Sequence, residues 1–208
     1  MLTVTEIFDS IQGESTWAGI PCTFVRLAGC NLHCRYCDTP QAHQPGVAMD
    51  TEEVLRRVRE FAHPLVELTG GEPLLQQKTI PLAGALHADG YTVLVETNGS
   101  LPLPSRRDFH AIMDIKTPGS GESDRFCVDN LARLRAGDEV KFVITDRADF
   151  DWAVNALRTL PPLSRRDLPV LFSPVADTLP PSTLADWILE AQLNVRLQIQ
   201  LHRLLCLP

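Results

Sequence analysis

An α/β fold with a largely parallel sheet, either open or rolled into a barrel, is predicted for this 208-residue chain. Short apolar runs alternate with amphipathic helical patterns, the mark of strand–helix–strand units. Polar clusters follow the runs at their C-terminal ends, where a parallel sheet gathers its functional loops. An extended piece at residues 4–8 opens the chain, and strands are predicted at 23–27, 65–69, 92–96, 111–116, 140–145, 170–173 and 195–200. The clearest helix is 51–62, where Asp50 and Glu53 have capping-box spacing and Val54, Leu55, Val58, Phe61 and Ala62 recur on one face. Residues 147–160 and 182–192 show similar patterns, and 74–88 is a weaker helix interrupted by Pro81. Proline-rich pieces near 101–105, 160–163 and 179–182 are short enough to be loops inside one domain spanning 1–208.

With 44% hydrophobic and 22% charged residues, the chain can bury one sizeable core. Its net charge of -7 argues against a phosphate-tracking surface, so a small-molecule substrate is expected and direct nucleic-acid binding is not. The doublets Arg56–Arg57, Arg106–Arg107 and Arg165–Arg166 read as solvated faces. The first residues lack the basic start and apolar run of a secretory signal, and no stretch is long enough to span a bilayer, so a cytoplasmic location is expected. Thiols stay reduced there. Six cysteines then point to metal, redox or free thiols rather than disulfides, with Cys127 and Cys206 as ordinary core or surface residues.

Cys30, Cys34 and Cys37 form a C-x3-C-x2-C triplet. Three thiolates without a sequential fourth suit an iron–sulfur cubane that leaves one iron open to a small ligand. A structural zinc site closes its tetrahedron with four protein ligands. Zinc stays open as a reading with Cys22, His33 or His43 as the fourth ligand, and so does simple packing. The triplet follows one predicted strand, Thr69-Gly70-Gly71-Glu72-Pro73 the next, and Glu96-Thr97-Asn98-Gly99 the one after. Asp114-Ile115-Lys116 and Ser173-Pro174 end two later strands, so five polar constellations converge on one rim.

C-x3-C-x-aromatic-C, with Tyr36 as the aromatic, followed by Gly-Gly-Glu-Pro, resembles the radical S-adenosylmethionine (SAM) superfamily. A narrower resemblance runs through nearly the whole chain. It rests on Glu6-Ile7-Phe8-Asp9-Ser10-Ile11-Gln12-Gly13-Glu14, Phe24-Val25-Arg26-Leu27-Ala28-Gly29-Cys30-Asn31-Leu32, Cys37-Asp38-Thr39 and Glu96-Thr97-Asn98-Gly99. These segments are similar to the 7-carboxy-7-deazaguanine synthase family. The resemblance implies an incomplete, modified (β/α)6 partial barrel with a mostly parallel sheet. It also implies one 4Fe-4S cluster on Cys30, Cys34 and Cys37, with SAM chelating the free iron and yielding a 5'-deoxyadenosyl radical. The implied reaction converts 6-carboxy-5,6,7,8-tetrahydropterin to 7-carboxy-7-deazaguanine and ammonia in queuosine and 7-deazapurine biosynthesis, with SAM regenerated. A flavodoxin or ferredoxin electron donor and a homodimer are implied as well.

Carried over residue by residue, the SAM contacts fall on Tyr36, Cys37, Asp38, Gly70, Gly71, Glu72, Glu96, Asn98, Asp114, Ile115, Lys116, Ser173, Pro174, Val175 and Ala176. The glycines admit close backbone approach and Glu72 accepts from the SAM ammonium, while Glu96, Thr97 and Asn98 hold the ribose or cap a turn. Two segments depart from the family pattern: Asp114-Ile115-Lys116 stands where Ser-Pro-Lys is familiar, and Ser173-Pro174 where Gln-Pro is. Asp-Ile-Lys also resembles glycyl-radical activating enzymes. That activity and a noncatalytic zinc module are the alternatives. Thr39 matches a Mg2+ ligand. Ile11, Gln12, Gly13, Glu14, Arg26, Thr69, His202 and Pro208 match substrate contacts, with Arg26 either a fork for a carboxylate or a surface partner of Glu6 or Glu14. The apolar tail, about 201–208, is expected to dock into the site, with the terminal proline carboxylate against substrate.

Overall fold

Strand β1 (Leu2–Ile11) pairs antiparallel with β2 (Pro21–Leu27) on one side and β3 (Val47–Met49) on the other. From β2 onward the sheet is parallel, through β4 (Leu65–Gly70), β5 (Thr92–Thr97), β6 (His110–Ile115), β7 (Glu139–Ile144), β8 (Val170–Pro174) and β9 (Arg196–Leu197). This computed structural model describes residues 1–160, 163 and 167–208, so Arg165–Arg166 and Pro161–Pro162 lie outside the described residues. Helices α1 (Thr51–Phe61), α2 (Thr79–Ala88), α3 (Arg147–Thr159) and α4 (Pro181–Glu190) pack on one face, and a short α5 (Leu201–Leu204) follows β9. The connections β5–β6 and β6–β7 carry bends and 3-10 turns, with no α-helix among the described residues. The result is a partial α/β barrel with an antiparallel edge.

Alternation along the parallel strands sorts their side chains. Val66, Leu68, Val95, Met113, Ile115, Val140, Phe142 and Phe172 join the large core under the helices. The opposite parity faces the barrel interior. There Cys22, Leu65, Leu94 and Ile112 make a small apolar plug with Trp17 and Phe24. Further along the strands with the same parity come Arg26, Glu67, Thr69, Glu96, Asp114 and Lys141, which line a cavity.

Four expectations need correction. Pro81 does not interrupt α2; it is the third residue, in the first turn, where an absent N–H costs nothing. The strand predicted at 195–200 is only Arg196–Leu197, because beyond it the chain turns toward Gly13, whose carbonyl accepts from Leu201 N–H at 2.8 Å. The initial extended piece is a ten-residue strand, since both its edges are paired. Arg107 is not a solvated cation: it is 5% exposed and ion-paired with buried Asp138. The α1 reading holds, with Asp50 accepting from Glu53 N–H at 2.8 Å and Val54, Leu55 and Val58 buried.

Candidate active site

The cysteine loop leaves the end of β2 and crosses the rim of a cavity of about 770 Å³, which Cys30, Cys34 and Cys37 all line. Its backbone is pinned at several points. Gly29 N–H donates to Ala42 O at 2.7 Å, Arg35 N–H to Ser120 O at 3.0 Å and His33 N–H to Glu122 Oε1 at 2.7 Å, while Leu32 is buried. Burial pushes the Cys34 thiol up to about 11 and raises Cys30 as well. Metal uptake there therefore displaces protons. Among the described residues no three His, Cys, Asp or Glu side chains converge on a single metal-ion position. Three thiols on one pinned loop, all lining one cavity, suit a cluster held by cysteine thiolates. Cys22 is buried in the apolar plug at the other end of β2, away from the triplet. His33 and His43 stack on each other at 5.1 Å.

Inside the cavity the charges form a connected floor. Lys141 Nζ lies 2.8 Å from Glu14 Oε2, 2.5 Å from Glu96 Oε1 and 3.8 Å from Asp114 Oδ2. Thr69 Oγ1 donates to Glu96 Oε2 at 3.0 Å. Although burial opposes its ionisation, the Lys141 ammonium and the Thr69 hydroxyl hold Glu96 at about 2. Glu67 accepts from Gln12 Nε2 and is pushed well above the usual range by burial and by the nearby Glu96 and Glu14 carboxylates. Lys116 Nζ bonds Asp114 Oδ2 at 2.8 Å and stands 5.9 Å from the Tyr36 ring centre, while buried Asp114 Oδ1 has no hydrogen-bond partner. Of its two expected ion-pair partners, Arg26 takes Glu6 at 2.7 Å, and its guanidinium lies 5.5 Å from the Phe8 ring centre.

The tail closes over one side. Gln200 Nε2 donates to Glu14 Oε1 at 2.8 Å, and Ser10 Oγ donates to Pro208 O at 2.9 Å. A Cβ on Gly13 would lie 2.0 Å from His202 Nδ1, so only glycine lets the tail pass this close.

The radical SAM superfamily model matches residues 25–116. A 7-carboxy-7-deazaguanine synthase of Chlorobaculum tepidum is 46% identical over 212 residues, covering 100% of this chain and 95% of the relative. One of Koribacter versatilis is 42% identical over 222 residues, covering 100% and 98%. This chain belongs to the 7-carboxy-7-deazaguanine synthase family. The crystal structure of QueE from Escherichia coli has the same fold, with a TM-score of 0.77 at 23% identity over 97% of this chain and 94% of that one. Membership in the radical SAM superfamily implies a 4Fe-4S cluster and SAM.

Of the residues matched to the synthase family, Ile11, Gln12, Gly13, Glu14, Arg26, Tyr36, Asp38, Thr39 and Thr69 line the cavity. So do Gly70, Gly71, Glu96, Asn98, Asp114, Lys116, Ser173, Pro174, Val175, Ala176, His202 and Pro208. Two do not. Glu72 is fully buried, and its carboxylate accepts from Asn98 N–H at 2.7 Å, Leu74 N–H at 2.9 Å and Thr97 Oγ1 at 2.9 Å, so it braces two loops and does not line the cavity expected to take SAM. Ile115 has the outward parity of Met113 and packs in the core. The glycine pair serves the loop junction: Gly71 N–H donates to Leu27 O at 3.1 Å, and a Cβ there would meet Gly29 O at 2.0 Å. Sequence reasoning missed Lys141, Glu67 and Gln200 as cavity residues. A charge set inside an apolar run, as in Leu65-Val66-Glu67-Leu68 or Val140-Lys141-Phe142, was the available signal.

Proposed function

We propose that residues 1–208 act as one domain that converts 6-carboxy-5,6,7,8-tetrahydropterin to 7-carboxy-7-deazaguanine and ammonia, as a carbon–nitrogen lyase of 7-deazapurine and queuosine biosynthesis. One observation carries the reading: a cysteine triplet and a charged floor open on the same cavity, in a chain alike over its whole length to proteins named as this synthase. Cys30, Cys34 and Cys37 hold the cluster. Bound with SAM, the reduced cluster supplies a hydrogen-abstracting carbon radical.

The chain's own work is to position and shield. Tyr36, Asp38, Gly70, Gly71, Asn98, Asp114, Lys116 and the 173–176 segment form the SAM side of the cavity. Gln12, Gly13, Glu14, Arg26, Thr69, His202 and Pro208 form the substrate side. The Arg26 guanidinium takes the substrate carboxylate in exchange for Glu6, which sits in solvent reach at 44% side-chain exposure. Glu96, matched to a SAM contact by the family pattern, bonds Thr69 and shares Lys141 with Glu14, so its carboxylate is assigned here, with that of Glu14, to the N–H donors of the heterocycle. Thr39 Oγ1 donates to Asp38 Oδ1 at 2.9 Å, so its lone pairs would be free to hold Mg2+, which would supply positive charge beside the substrate. A flavodoxin or ferredoxin supplies the electron, and the working state is a homodimer. A tail lying across the rim favours a small substrate over the protein loop that a glycyl-radical activating enzyme must admit.

The test is anaerobic reconstitution with iron and sulfide, then incubation with SAM, reductant, Mg2+ and the carboxytetrahydropterin, with products followed by mass spectrometry. Formation of the deazaguanine acid is expected. Cluster-loaded protein that cleaves SAM but leaves the pterin intact would refute the reading.

A further inference from the structure

Lys141, on β7, is 5% exposed and belongs to none of the motifs that led to the site. Its ammonium is shared by Glu14 from the loop after β1 at 2.8 Å, Glu96 from β5 at 2.5 Å and Asp114 from β6 at 3.8 Å. Each partner reaches further. Glu14 also accepts from Gln200 of the tail at 2.8 Å, and Glu96 from Thr69 at 3.0 Å, so separate walls of the cavity meet at a single nitrogen. The other charged groups around the floor do not duplicate this role. Arg26 is engaged by Glu6, Lys116 by Asp114, and Glu139 by Thr16, while Glu67 takes the Gln12 amide. Neighbouring carboxylates in a partly buried cavity, left without their shared cation, bind protons more readily or swing apart.

Resting on the substrate reading above, we propose that Lys141 is a positioning residue whose ammonium fixes the Glu14 and Glu96 carboxylates, so that the cavity presents a preformed pair of acceptors to the N–H edge of the heterocyclic substrate. Lys141 itself touches no reacting atom. Its removal acts through the two carboxylates, first on substrate affinity and on the acid side of the pH profile.

The experiment compares reconstituted wild type with Lys141→Met, Lys141→Arg, Glu96→Gln and the Lys141→Met/Glu96→Gln double variant. Steady-state kinetics with the carboxytetrahydropterin are followed across pH, and iron and sulfide per chain report cluster loading. Lys141→Met is expected to raise KM by about tenfold or more, with a smaller effect on kcat. Its acid limb in kcat/KM is expected to move to higher pH, because carboxylates freed from the cation bind protons more readily. Lys141→Arg keeps the charge and restores the acid limb. The double variant loses less than the sum of the two single changes. A Lys141→Met enzyme with wild-type KM and acid limb overturns the proposal, as does a loss that tracks cluster content and is not relieved by Lys141→Arg. If Lys141→Met does not accumulate as folded protein, the double variant decides. Recovery of folded protein with raised KM supports the shared counter-ion, and no recovery overturns it. A wild type without pterin turnover overturns the substrate reading together with this proposal, whereas a wild-type-like Lys141→Met overturns this proposal alone.

Discussion

Three donors surround the Glu72 carboxylate: Leu74 N–H and Thr97 Oγ1 on one oxygen and Asn98 N–H on the other. Burial raises its proton affinity while these hydrogen bonds pull it back down. Replacing it by glutamine sets an NH2 group against at least one donor that has no access to water. Glu72→Gln is expected to cost about 1–3 kcal/mol in chemical denaturation, with SAM affinity falling only as far as stability does. Full stability with lost SAM binding would return this carboxylate to the cofactor. The cysteine triplet was legible from its spacing, while Arg26 and Thr69 entered through the family resemblance, and the fold brings them to the same cavity. Glu72 was legible as a motif member, but its direction depended on Thr97 and Asn98, more than twenty residues away.

At the scale of elements, the decisive contact is between the end of β4 and the cysteine loop. Gly71 N–H and Glu72 N–H donate to Leu27 O and Gly29 O at 3.1 and 2.8 Å, and no side chain fits between the two backbones. Gly71→Ala must push the cysteine loop aside, at a cost of about 1–3 kcal/mol. Its iron and sulfide content after reconstitution is expected to drop. Asp50→Ala removes the α1 cap at a comparable cost of about 1 kcal/mol, yet the hydrogen bonds that anchor the loop come from Ala42, Ser120, Glu122, Gly71 and Glu72 rather than from α1, so cluster content should hold. Equal cluster loading in both variants would separate the glycine from cluster assembly. The α1 boundaries were readable because cap, periodicity and length agree locally. β9 was overpredicted because its apolar residues were counted without the pull of Gly13 on the following backbone.

On the scale of the whole molecule, the tail ties the last residues to the first strand. Ser10, Gly13 and Glu14 all receive it, through bonds of 2.9, 2.8 and 2.8 Å. Deleting Gln200–Pro208 is expected to raise KM for the pterin by about tenfold or more, since it uncovers Glu14, Gly13 and Ser10, while cluster loading stays near wild type. An unchanged KM would leave the tail without a part in substrate binding. By itself the sequence determined the alternation of strands and helices, the cysteine triplet and the family, because those signals are local spacings or contiguous identities. Tertiary structure decided which parity faced inward, and so put Lys141 and Glu67 into the cavity and Ile115 out of it, while the Thr97–Asn98 loop drew the Glu72 carboxylate away. The physical reason is that a side chain's environment inside a curved sheet is made by residues from several strands, whose meeting depends on register and curvature rather than on any local pattern.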